Sequence, residues 1–293
     1  NPDTYWNLHG YSEDALAWVD EKLAAITQAE PEKYVFVTAH PPIYDTVFNS
    51  LQSDWADADL GEVLQKYPQV IYFSGHVHNV LQDEMQISQN GSFTALDCGS
   101  VKYSATMNTI NDGGSTFDNS VGTRIEDFSQ GLLVQVDGSG NVRVTRCDYY
   151  RRSPIKDAWE LSYPKADKSH LSAYDNATRQ RENAAPSFAE DASLTVQSTR
   201  SGLSFTWTAA SDDDMVRYYK LHVYTVEEDG TRTRGKTYNL ATFTYRYDRV
   251  EDMPGEMTFS TAALPSGEYY FEVCPVDVWG AVGGTISATL TVA

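Results

Sequence analysis

The sequence predicts two unlike domains in tandem, an α/β region followed by an all-β sandwich. Three observations carry that expectation. Helical and strand periodicities alternate over residues 1–150, and only short period-two runs remain from residue 188 onward. The stretch 151–187 between them is basic in an otherwise acidic chain. It carries 7 Lys and Arg against 5 Asp and Glu, where the flanking regions carry 7 against 21 and 8 against 15. The 293 residues suffice for two domains, with a connector over 151–187.

Within the first region, Ser12 is placed to cap a helix, with Glu13 and Asp14 in its first turn. Ala15, Trp18, Val19, Leu23 and Ile26 recur at three- and four-residue steps, the expected apolar stripe, and Pro31 ends it. Tyr34 to Thr38 is a continuous β-prone run, expected as a strand buried on both faces. Asp59 to Tyr67 is a second helix, stopped by Pro68, and Val70 to Phe73 a second buried strand. Further strands are expected at 93–96, 131–136 and 142–145, the last two joined by the hairpin turn Asp137-Gly-Ser-Gly-Asn141. Residues 104–129 read as a long polar loop. In the connector, Trp159, Leu161 and Tyr163 alternate like a short strand.

From residue 188 seven short strands are expected, at 194–196, 203–207, 218–226, 237–247, 257–260, 269–273 and 286–292. Leu264-Pro-Ser-Gly-Glu-Tyr-Tyr-Phe-Glu-Val-Cys-Pro-Val-Asp277, followed by Val-Trp-Gly280, resembles the penultimate strand of a fibronectin type III domain. The resemblance covers 188–293. It implies an immunoglobulin-like sandwich with Tyr269 as the corner tyrosine, Phe271 and Val273 inward, and Trp207 on an early core strand. It implies architecture and no chemistry.

Composition removes several function classes. A formal charge of −19 and a pI near 4.5 argue against nucleic acid and anionic lipid as partners. No apolar run is long enough to span a bilayer. Three cysteines, Cys98, Cys147 and Cys274, form no C-x-x-C and no even framework, and are read as small buried or half-buried thiols. The abundance of Tyr, Thr, Ser and Asp suits an exported bacterial protein, extracellular, periplasmic or on the cell surface. The chain opens on Asn-Pro-Asp without Met or signal peptide, so a removed leader or a longer parent is expected.

The chemistry gathers at histidines. His40 follows the first strand and precedes Pro41-Pro42, and His76 and His78 leave the second strand through Gly75 as Gly-His-Val-His. In an open α/β sheet, sites form where loops leave the carboxyl ends of strands. Imidazole is the commonest metal ligand at neutral pH. Gly-His-x-His arises by chance in about one chain in a hundred of this length. His9, His170 and His222, in the opening loop, the connector and a sandwich strand, read as structural.

Val35-Phe-Val-Thr-Ala-His-Pro-Pro-Ile-Tyr44 and Ile71-Tyr-Phe-Ser-Gly-His-Val-His78 resemble the last two metal-binding blocks of the calcineurin-like metallophosphoesterases. The helix with Ala17-Trp-Val-Asp-Glu-Lys-Leu23 matches the one usually found before them, so the similarity covers roughly 5–148. It implies part of a four-layer α/β/β/α domain that hydrolyses phosphomonoesters or diesters with two divalent ions, Mn, Fe or Zn. His40 and His76 would bind one ion and His78 the other. On the substrate side, Tyr44 and Trp55 are candidates.

The family's Asp-x-His, Gly-Asp-x-x-Asp and Gly-Asn-His blocks are absent from the sequence. Those blocks carry the bridging aspartate and the proton-donating histidine, so no catalytic residue is assigned here. The chain is expected to be the C-terminal, histidine-bearing half of such a domain, needing the missing N-terminal half as partner. Three neutral imidazoles bring no negative charge to hold two dications together. One weakly bound ion, or none, and little hydrolysis are therefore expected of this part alone. Asp45, Asp83 and Asp97 are read as exposed loop carboxylates. Two other readings stay open: a cell-surface binding or spacer module with a vestigial phosphoesterase part, and an unrelated one-metal hydrolase.

Overall fold

The structure, a computed structural model, describes residues 10–51, 56–102, 116–117, 128–241 and 249–293. Strand predominates, in several sheets, and the chain divides into two compact units. Residues 125–182 group with the first unit, so the basic stretch up to Glu182 belongs to it and the second unit resumes at Asn183. The connector expected over 151–187 is thus largely first-unit structure. The physical reason is Trp159 and Leu161, both buried in the core of that unit.

Helix α1 (Glu13–Ala29) begins as expected, with Ser12 Oγ accepting from Ala15 N at 3.2 Å. Its buried face is a different one. Leu16, Val19 and Leu23 face the core, while Trp18 is 60% exposed and Ile26 is exposed too. Val19 and Leu23 belong to both stripes, so the buried face is rotated by only about 50–60° from the expected one, with Leu16 in place of Trp18 and Ile26.

Strand β1 (Val35–Thr38) runs parallel to β2 (Val70–Ser74), which runs parallel to β4 (Thr94–Asp97). The short β3 (Ile87–Ser88) closes the sheet antiparallel to β4, in the order β1-β2-β4-β3. Here β2 is buried on both faces as expected, but β1 is not. Among the described residues it lies at the sheet edge, and Phe36 is 46% exposed. A continuous apolar run does not reveal whether a strand is central or marginal.

Helix α2 (Asp59–Leu64) is shorter than expected and ends in turns reaching Tyr67. Asp57 Oδ1 caps it by accepting from Leu60 N at 2.7 Å. Leu60, Val63 and Leu64 join Leu23 of α1, Val70 and Tyr72 of β2 and Ala95 of β4 in one core. The other face of the sheet presents Ile71, Ile87 and Leu96, joined by Leu81 from the loop between β2 and β3. Against these pack Val142, Val144, Ile155, Trp159 and Leu161. They come from a second sheet, in which β7 (Val142–Asp148) pairs with β6 (Gln130–Val136), β8 (Ser153–Pro154) and β9 (Trp159–Leu161). The layering is therefore helices, mixed sheet, antiparallel sheet. The β6–β7 turn is held by Asp137, whose carboxylate accepts from Ser139 N, Asn141 N and Asn141 Nδ2. Helix α3 (Asn176–Glu182) buries no side chain of its own. Arg179 beside Tyr174 ties this segment down by donating to the carbonyls of Glu84 and Ile87.

In the second unit all seven expected strands are present: β10 (Leu194–Thr199), β11 (Gly202–Thr208), β12 (Val216–Val226), β13 (Arg232–Ala241), β14 (Glu256–Thr261), β15 (Gly267–Asp277) and β16 (Ile286–Val292). The fourth starts five residues before the expected Thr237, and the sixth runs four residues past the expected Val273; residues 242–248 lie outside the described residues. One sheet has the order β10-β11-β14 and the other β16-β15-β12-β13, with β5 (Thr116–Phe117) parallel to β13. Leu203, Phe205 and Trp207 of the first meet Tyr219, Leu221, Phe271 and Val273 of the second in a shared core, which makes the unit a sandwich. Tyr269 is buried, and its hydroxyl donates to Pro265 O at 3.1 Å.

Candidate metal centre

The ends of β1, β2 and β4 lie side by side, because the three strands are parallel and in register. Ala39 N donates to Phe73 O at 3.2 Å and Gly75 N to His40 O at 3.1 Å, so the two histidine-bearing loops leave the sheet tied together. That brings His40 Nε2 to 3.1 Å from His76 Nδ1, with the rings edge to face at an interplanar angle of 82°.

The backbone here departs from ordinary geometry. His76 has φ 72° and sits inside a three-residue turn closed by Val77 N onto Gly75 O at 2.8 Å, a γ-turn of the rarer positive-φ kind. His78 has φ 51° and Asn49, on the other loop, φ 69°. Left-handed conformations cost about 1–3 kcal/mol at non-glycine residues and persist only where surroundings hold them. Buried Asn79 supplies part of that hold. Its Oδ1 accepts from Asn49 Nδ2 at 3.0 Å, and its Nδ2 donates to Phe48 O at 3.1 Å.

His40, His76 and His78 line one wall of a cavity of about 450 Å³. Cys98, Gly99 and Ser100, just past β4, and Leu132, Val134 and Tyr149 of the antiparallel sheet line the rest. The three expected histidines are thus brought to one place. Tyr44 is exposed and does not line the cavity; Trp55 lies outside the described residues, as does His9. Tyr149 and the Cys98–Ser100 turn were not singled out by sequence reasoning. The latter had a signal, since Cys98 follows the third parallel strand as His40 and His76 follow the first two. Tyr149 had none.

The carboxylates also need correction. Asp45 is exposed as expected, but Asp83 and Asp97 are fully buried. Asp83 Oδ1 accepts from Met85 N at 2.8 Å and caps a short turn. Asp97 Oδ2 accepts from Gly99 N at 3.2 Å, and among the described residues Oδ1 has no hydrogen-bond partner. Burial pushes the Asp97 carboxyl well above the usual carboxylate range, against the pull of the Gly99 and Cys98 amides. Burial likewise pushes the Cys98 thiol up to about 12, so Cys98 stays protonated. All three cysteines are free.

Zinc–imidazole bonds of about 2.0–2.1 Å place two bound nitrogens about 2.9 Å apart at a right angle and about 3.3 Å apart at the tetrahedral angle. The His40 Nε2–His76 Nδ1 contact is a hydrogen bond between the two rings, with the donor set by the tautomer, at a spacing that falls between those two values. Among the described residues no group of three or more His, Cys, Asp or Glu side chains is arranged to hold a metal. His170 and His222 are structural. His170 accepts from Lys165 N and meets Pro68 O at 2.9 Å, and His222 Nδ1 pairs with Thr237 Oγ1 at 2.8 Å.

No protein-family model matches the chain, and no curated protein matches it. Among solved structures, a PKD domain of an M14-like peptidase from a Thermoplasmatales archaeon is similar at 13% identity and a TM-score of 0.22, covering 37% of this chain and 96% of that one. The pectate lyase Pel3 from Pectobacterium carotovorum is similar at 16% identity and a TM-score of 0.20, covering 36% of this chain and 28% of the lyase.

Proposed function

We propose that the first unit is the histidine-bearing part of a calcineurin-like metallophosphoesterase domain that hydrolyses phosphomonoesters or diesters. The observation that carries this reading is the 3.1 Å approach of His40 Nε2 to His76 Nδ1 at the carboxyl ends of two parallel strands. His40 and His76 would hold one divalent ion, Mn, Fe or Zn, and His78 on the same cavity wall would serve a second. Such an ion, when bound, supplies a Lewis acid and an activated water near neutral pH. The residues present would do the holding, with Asn79 tying the loop that follows His78 to the loop that carries Asn49.

The remaining ligands would come from the N-terminal half of the same domain, in a longer chain or a separate one, carrying the Asp-x-His, Gly-Asp-x-x-Asp and Gly-Asn-His blocks. The open edge of β1 supports that assignment. Val35 N and Ala39 N donate toward β2, so the backbone groups of Phe36 and Thr38 point along the other edge. Among the described residues β1 pairs with β2 alone. The helix–sheet–sheet layering is consistent with three layers of the expected four.

The test compares manganese-dependent hydrolysis of p-nitrophenyl phosphate by this chain and by one extended to include the three blocks. The extended chain should be faster by several orders of magnitude. Equal rates, or no ion-dependent change at the His40 and His76 rings by NMR, would overturn the reading.

For the second unit we favour a fibronectin type III-like binding or spacer role. Its support is the buried Tyr269, whose hydroxyl returns to Pro265 O four residues upstream, as in the tyrosine corner of such sandwiches.

A further inference from the structure

The cavity is lined by His40, His76 and His78 and by an apolar wall of Leu132, Val134, Val101 and Tyr149. Among the described residues no Lys, Arg, Asp or Glu lines it. Buried Gln130 in the lining has its Oε1 taken by Leu81 N at 2.8 Å.

Tyr149 is a built element of that wall. Its backbone N donates to Ser129 O at 2.7 Å, which fixes where the residue starts. Its ring then lies across Gly131, so closely that a Cβ there would come within 2.7 Å of Cε2 and 3.0 Å of the hydroxyl. Glycine at 131 is what allows the aromatic ring to lie there, and the ring remains 49% exposed. Val101 is 71% exposed on the same cavity.

We infer that this cavity takes phosphoesters whose leaving group is a flat aromatic ring, stacked on Tyr149 with Val101 and Leu132 beside it. The inference rests on the phosphoesterase reading and specifies its substrate class. A polyol or sugar would leave its hydroxyls against aliphatic side chains and lose their hydration. An aryl group gives up only apolar surface and gains a ring contact. The phosphoryl group then faces the histidines. A 450 Å³ space suits a ligand of that size.

The test is equilibrium titration of the full chain, in the presence of zinc, with inorganic phosphate, β-glycerophosphate and phenyl phosphate. Phenyl phosphate should bind about tenfold more tightly than β-glycerophosphate. Tyr149→Ala should abolish that preference, and Tyr149→Phe should keep it, because the ring face and not the hydroxyl makes the contact. Val101→Ser, at an exposed position that the fold does not need, should reduce it. Binding of phosphate with no preference for the aryl ester, or a preference that survives Tyr149→Ala, overturns the aryl assignment and leaves the phosphoesterase reading standing. Failure of all three ligands to bind overturns the aryl assignment for this chain, while the phosphoesterase reading stands or falls on the rate comparison with the extended chain.

Discussion

His40 Nε2 and His76 Nδ1 lie 3.1 Å apart although 36 residues separate them in the chain. Neither loop alone could fix that spacing. It follows from the parallel pairing of β1 with β2 and from the Gly75 N to His40 O hydrogen bond just above the last paired residues.

If the pair forms one seat for an ion, His40→Ala should lower zinc affinity at least about tenfold, since it removes one of two described ligands. Calorimetric titration measures it, and NMR of the His76 ring reports the same event locally. Unchanged affinity would sink the assignment.

Asp97 should make stability fall with rising pH. It is fully buried, and burial raises its carboxyl pKa, so the folded state holds a proton that the unfolded chain gives up near pH 4. Its contribution is intact below that pH and diminishes as pH climbs toward the folded value. Asp97→Asn should therefore raise the melting temperature of the first unit at pH 8 and change it little at pH 4. The opposite ranking in thermal melts would show the carboxylate to be ionised and paired.

Glu84 should act with the opposite sign. Burial by itself would push its carboxyl up, but Arg146 at 2.8 Å and Lys156 at 3.1 Å, with Trp159 Nε1 donating at 3.0 Å, hold it at about 2. A depressed folded pKa adds stability above the unfolded value near 4.3 and loses it as pH falls toward 2. The stake is about 3 kcal/mol at neutral pH. Glu84→Gln should lower the stability of the first unit at pH 7 and flatten its acid limb, as urea denaturation from pH 7 to 3 would reveal. Removing one partner also leaves Arg146 buried and unpaired by this carboxylate, so the loss can exceed that figure.

Tyr269→Phe removes only the hydroxyl that donates to Pro265 O. The cost should be about 1 kcal/mol, confined to the unfolding of the second unit. A larger loss with disturbed ring packing against Phe271 would mean that the hydroxyl positions the β14–β15 connection more strongly than one hydrogen bond does.

Local patterns were legible where one residue decides its own neighbourhood. Ser12 caps its helix, Asp137 closes its turn, and seven period-two runs become seven strands, because caps, turns and alternation are short-range rules. The two histidine loops were legible for the same reason: each follows a β-prone run. Chain-level reasoning went astray where the answer depended on what stands next to a segment. Trp18 looked like core because the stripe was phased from Ala15, and Leu16 took that role. Tyr34 to Thr38 looked central and lies at an edge, since hydrophobicity does not report how many neighbours a strand has.

By itself, then, the sequence determined that this chain alternates helix and strand before a β-sandwich, and that histidines leave two of those strands. Only the tertiary structure decided that His40 and His76 meet, that Asp83 and Asp97 are buried, and that Tyr149 lies across Gly131 in the lining of the cavity the histidines share. Backbone propensity acts over a few residues, whereas distance, burial and the chemistry of a cavity wall are set by pairing between strands tens of residues apart.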